Sequence, residues 1–142
     1  MPNDQLSGLF SKLSNSSLSY SISASRLSDG IQSIQKRLNA LLGKVAVDVE
    51  SEGSPKIWLS FDRIKSASQW ALWIQEEPFN NEQWSRLTEA SIKLKIKAIP
   101  LFEPLLIGFL ETQAQRRKEV DKAIDLFSPI LEGIEAIEKE DA

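Results

Sequence analysis

The stretch KVAVDVESEGSPKIWLSFDRIKSASQWALWIQ, residues 44–75, decides the fold, because its apolar residues return at every second position. Val45, Val47 and Val49 alternate with Ala46, Asp48 and Glu50, and Ile57, Leu59 and Phe61 alternate with Trp58, Ser60 and Asp62. Successive side chains on a strand point to opposite faces, so a two-residue rhythm predicts strands. Glu52, Gly53, Ser54 and Pro55 between the two runs carry turn chemistry, which predicts a hairpin. A third alternation, Trp70, Leu72 and Ile74 against Ala71, Trp73 and Gln75, completes a three-stranded antiparallel β-meander over residues 44–76.

Register follows from the same rhythm, since a slip of one residue would turn a strand's apolar set toward water. Pairing Val49 with Ile57, Val47 with Leu59 and Val45 with Phe61 keeps the apolar sets together. It also sets Glu50 opposite Lys56 and Lys44 opposite Asp62, and opposite charges across strands contribute a few tenths to about 1 kcal/mol each. The second hairpin then pairs Phe61 with Trp70, Leu59 with Leu72 and Ile57 with Ile74, which brings Trp58 opposite Trp73 on the polar face.

On both sides of this segment the rhythm changes to alternating steps of three and four. Leu6, Phe10, Leu13, Ser17, Tyr20, Ala24, Leu27, Ile31, Ile34, Leu38 and Leu41 form a heptad seam, the spacing that keeps one stripe turned to a partner helix. The seam is wholly apolar from Leu27 onward, whereas its first half is rich in serine and reads either as a flexible tail or as a segment that orders on association. Asp29 and Gly30 offer a place to break the helix in two, and Gly43 stands where a left-handed residue should end it. Beyond Pro78, Asn80 or Asn81 can cap a helix with Glu82 in its first turn and Leu87, Ala90 and Leu94 on its apolar side. Pro100 and Pro104 are expected to kink or interrupt it, and Ser128 followed by Pro129 to start a last helix. Val120, Ile124, Phe127, Leu131 and Ile134 repeat the three-four step, so the two helical ends look built to meet one another.

The expected fold is therefore α+β: a helical arm over residues 1–43, the meander over 44–76, and a C-terminal helical region over 79–140. With 142 residues, 42% hydrophobic and 26% charged, the chain suits one folded domain and not a disordered tail. It contains no cysteine, which excludes disulfides and thiolate metal sites and points to a reducing cytoplasm. Residues 1–13 do not read as a signal peptide, and no apolar run reaches the ~18 residues of a membrane span.

Histidine is absent as well, so imidazole and thiol routes to acid-base, nucleophilic and zinc chemistry are closed. Asp48, Glu50 and Asp62 are the best carboxylates for a hydrolase or a Mg²⁺ or Ca²⁺ site, but two of them have a lysine opposite in the register above. No phosphate-cradling glycine motif occurs. We therefore expect no catalytic residue, no cofactor and no metal. Arg116, Arg117 and Lys118, with Arg63 and Lys65, are the basic residues that a nucleic-acid accessory protein would use, although the net charge of −3 opposes that reading. Glu119 and Asp121 follow the run at once, as on a solvated helix face.

Trp58 and Trp73 side by side mark either a partner surface or a patch covered by the protein's own helices. For the seams, represented by Leu27, Ile31, Ile34 and Leu38 at one end and Ile124, Phe127 and Leu131 at the other, packing within the chain stands against self-association or a partner coiled coil. The leading expectation is a non-enzymatic protein–protein interaction or assembly module, open to homo-oligomerisation. A small acidic inhibitor of a partner enzyme, antitoxin-like or immunity-like, is the alternative.

Overall fold

The two-residue rhythm does become strand, in a sheet with one strand more than it indicates. The computed structural model describes residues 2–63, 69–78 and 84–141, and over these the chain is an α+β protein. Helix α1 spans Pro2–Ala40, and strands β1 to β4 span Val47–Glu50, Ile57–Asp62, Ala71–Glu76 and Ser85–Arg86. A 3-10 turn covers Leu87–Glu89, and helix α2 spans Ile92–Asp141. The strands form an antiparallel sheet in the order β1-β2-β3-β4. The fourth strand has no periodic signature because it is two residues long, held by pairing with Trp73 and Ile74.

Both hairpins are paired two residues away from the expected register. Val47 faces Phe61 and Val49 faces Leu59, and in the second hairpin Phe61 faces Leu72 and Leu59 faces Ile74. A shift of two leaves every side chain on its face, so the apolar set stays together while its partners change. Ser51 accounts for the first shift: its N–H donates to the Ile57 carbonyl at 2.8 Å and its hydroxyl accepts the Ile57 N–H at 2.8 Å, which closes the turn on that pair. The second is extended by the Glu77 N–H donating to the Lys56 carbonyl at 3.0 Å. Glu50 therefore stands opposite Trp58, although Lys56 still reaches its carboxylate at 3.8 Å. Trp58 stands opposite Gln75 and Trp73 opposite Ser60, so the two tryptophans are not cross-strand partners.

The apolar sheet face and the two helices enclose one core. Ile57, Leu59, Phe61, Leu72 and Ile74 meet Ile31 and Leu38 of α1 and Ala98, Leu101, Leu105 and Phe109 of α2. Phe61 stacks on Trp70 at 5.4 Å between ring centroids and takes the edge of Phe109 at 6.1 Å. Gly108 lets α2 lie against β1: a Cβ there would fall 2.9 Å from Val47 Cγ1. Gly43, at φ 67°, turns the chain from α1 into the sheet as expected.

The helices correct several sequence expectations. Gly30 does not break α1. Its cost of about 1 kcal/mol is smaller than the roughly 1.5–3 kcal/mol from burying the adjacent Ile31. Pro100 and Pro104 do not interrupt α2. They lie on its exposed side, between buried Leu101, Phe102, Leu105 and Phe109. Four such burials at roughly 1.5–3 kcal/mol each offset two prolines at about 3 kcal/mol each. Nor does a helix begin at Ser128, because α2 runs through Pro129. The cap of α2 is Ser91, whose hydroxyl accepts the Leu94 N–H at 3.3 Å. Asn80, Asn81 and Glu82 lie outside the described residues, as does Lys65, and Leu87 belongs to the 3-10 turn.

Candidate functional site: the exposed helical arms

Two contacts fix how α1 and α2 run across the sheet. Near the start of α2, the Lys95 ammonium donates to the Ser28 hydroxyl at 3.0 Å. Further along, the Gln113 amide donates to the carbonyls of Leu42 and Gly43 at 3.5 Å, and Arg116 to that of Lys44 at 3.4 Å. Both helices thus advance in the same direction, side by side. Among the described residues, no core lies beneath the portion of α1 before Leu27 or the portion of α2 after Gln113. Because the helices are parallel, these two arms leave the core at opposite ends. They do not meet within the chain, contrary to the expectation drawn from their matching rhythm.

Each arm is the continuation of a buried face. Leu13 and Tyr20 lie 18 residues before Ile31 and Leu38, five turns of an α-helix, and so share their side. Ile31 and Leu38 are 1% and 5% exposed, whereas Leu13 and Tyr20 are 60% and 63% exposed. On α2, Phe127 lies five turns beyond Phe109, the first 57% and the second 5% exposed. Of the seam residues predicted to bind partners, Ile31 and Leu38 are core residues, Leu27 and Ile34 pack partly against the core, and Ile124, Phe127 and Leu131 are bare. Leu9, Leu18 and Ile22 on α1 and Leu126, Ile130 and Ile137 on α2 add exposed apolar surface outside the seams. Sequence reading passed over them because they fall between its a and d positions.

The tryptophans are placed differently. Trp73 is buried; its indole N–H donates to the Asp62 carbonyl at 2.9 Å and the Arg86 guanidinium lies 5.6 Å from its ring. Trp58 is half-buried, with its indole N–H donating to Glu50 at 3.0 Å and its ring 6.4 Å from that of Trp84. Among the described residues it is the Trp84 ring and the Arg86 guanidinium that lie against these two tryptophans.

The three sheet carboxylates do not converge. Asp48 accepts the Ser60 hydroxyl, Glu50 accepts Trp58 and faces Lys56, and Asp62 accepts the Arg63 N–H at 2.6 Å. The basic run is dispersed as well: Arg116 turns back to Lys44, and Arg117 pairs with Asp121 at 3.9 Å. Among the described residues no helix is long and apolar enough to cross a membrane. No protein-family model, no curated protein and no solved structure matches the chain.

Proposed function

We propose that the protein is a non-enzymatic assembly module: a small α+β core that holds out two helical docking arms. The observation that carries this reading is the continuity of each apolar stripe from a sealed half onto a bare one. An arm with nothing packed on it is a poor helix by itself. Helices in folded proteins owe most of their stability to tertiary packing of an apolar face, and isolated ones are marginal in water. The α1 arm carries nine serines between Ser7 and Ser25, and the α2 arm carries Pro129, a cost of about 3 kcal/mol with no burial beside it. A partner helix on each stripe supplies the missing burial. The absence of histidine and cysteine, and the dispersal of the sheet carboxylates, support the non-enzymatic part.

Sedimentation velocity over a dilution series tests the proposal. Mass should rise with concentration, and Phe127→Glu should hold the chain as a monomer while leaving its melting temperature at high dilution unchanged. A monomer at every concentration in the unsubstituted protein would sink the assembly reading.

A further inference from the structure

We infer that the occupant of each arm is the opposite arm of a second copy of this chain, packed in parallel, head to tail. This rests on the assembly reading and specifies its geometry. The two stripes have the same phase. Stepping along α1 through Leu6, Phe10, Leu13, Ser17 and Tyr20 takes four, three, four and three residues, and Val120, Ile124, Phe127, Leu131 and Ile134 on α2 take the same steps. Setting Leu6 level with Val120 therefore aligns every seam layer in the order a parallel coiled coil requires. Of these five layers, only that of Ser17 with Leu131 includes a polar residue.

The direction is that of the α1–α2 contact within one chain, and no charge on the arm opposes it. Asp4, Lys12 and Arg26 are the only charged residues over positions 2–26. All three lie on the side of α1 turned away from its stripe, as Lys118, Asp125 and Glu140 do on α2, so no charge of the arm enters the seam.

The place where the incoming helix would begin is also shaped for it. At Gly43 the chain has left α1 for the sheet, and a shallow depression lined by Gly43, Gln113, Arg116 and Val120 lies at that point. The next copy's α1 takes up the line along α2 where the first copy's α1 leaves it. The contact repeats between chains the parallel α1–α2 arrangement already present within one.

Such a contact uses two different surfaces at opposite ends of the chain, so one arm stays open at each end. It propagates into an open filament or closes into a ring, and does not stop at a two-fold dimer.

The absence of native cysteine makes a cross-linking test direct. Leu6→Cys and Val120→Cys chains, both altered only at exposed positions, are mixed and oxidised in parallel with a Leu6→Cys and Leu131→Cys mixture. The expected result is a disulfide-linked pair from the first mixture in large excess over the second, together with sedimenting species larger than dimers in the unsubstituted protein. A product mainly from Leu6→Cys with Leu131→Cys, self-linking of either variant alone as the main product, or a discrete dimer would overturn the parallel head-to-tail contact while leaving assembly standing. A monomer at all concentrations would overturn both.

Discussion

Ile31 and Leu13 occupy the same face of one helix, five turns apart, yet the first is sealed against the sheet and the second is open to water. The same contrast separates Phe109 from Phe127 on α2. Local sequence treats each pair alike, since both members sit on an apolar stripe of helical period. What distinguishes them is the reach of the sheet. Strands of four to six residues extend about 13–20 Å, while helices of 39 and 50 residues extend roughly 58 and 75 Å. A short sheet can cover only part of either helix. The remainder keeps the chemistry of a core with no core to enter.

The sharpest way to break this comparison is to truncate matched residues in the two regions. Ile31→Ala should cost about 2–5 kcal/mol of unfolding free energy, through lost burial and the cavity left behind. Leu13→Ala should change stability by less than about 0.5 kcal/mol when measured at high dilution, and should instead weaken self-association. Denaturant unfolding of both variants at low and high protein concentration separates the effects. Equal losses at high dilution would mean that the arm is packed within the chain.

Glycines offer a second, smaller contrast on α2. At Gly133 an added Cβ meets nothing within 4 Å. Gly133→Ala should therefore gain up to about 1 kcal/mol of helix propensity. At Gly108 the same gain is opposed by a Cβ placed 2.9 Å from Val47 Cγ1. Valine is stiff at χ1 and cannot swing clear, and overpacking of this kind costs roughly 1–3 kcal/mol. Gly108→Ala should thus be net destabilising, by up to about 2 kcal/mol. Melting temperatures moving in opposite directions for the two variants would confirm that only one half of α2 is pressed against the sheet.

Much of this was legible in residues 44–75, because alternation is a local property and a two-residue error in register does not turn a strand over. Val47, Leu59, Phe61, Leu72 and Ile74 could be placed on one face even though their partners could not be named. Ser51 set the true register with a side-chain hydrogen bond, which no apolar pattern records. Strand β4 and the interrupted approach to Ile92 were hidden for the converse reason, being held by neighbours and not by any rhythm of their own. Continuity of α2 through its prolines likewise depended on burial at Leu101 and Leu105, a tertiary fact. The heptad seams were visible, but their fate was not: a stripe specifies that a partner is wanted and is silent on whether the sheet extends far enough to be that partner.

The smallest expected effect concerns ion pairs. Lys97 of α2 reaches Glu76 of β3 at 2.9 Å, with about a third of each side chain exposed, and so ties the helix to the sheet. Arg117 and Asp121 on the arm are 3.9 Å apart, with 85% and 64% of their side chains exposed, and tie the helix only to itself. The shorter, better sheltered pair is screened less by water and salt, so Lys97→Met should lose roughly 0.5–1 kcal/mol in low salt. Arg117→Met removes a long, solvated pair and should leave monomer stability unchanged within error, because ordering two exposed side chains costs nearly what their attraction returns. Thermal melts of both variants in low and high salt decide the matter. A stability loss confined to Lys97→Met and reduced by salt fits a helix anchored only along its first half, whereas a comparable loss from Arg117→Met would place the arm against a surface of its own chain.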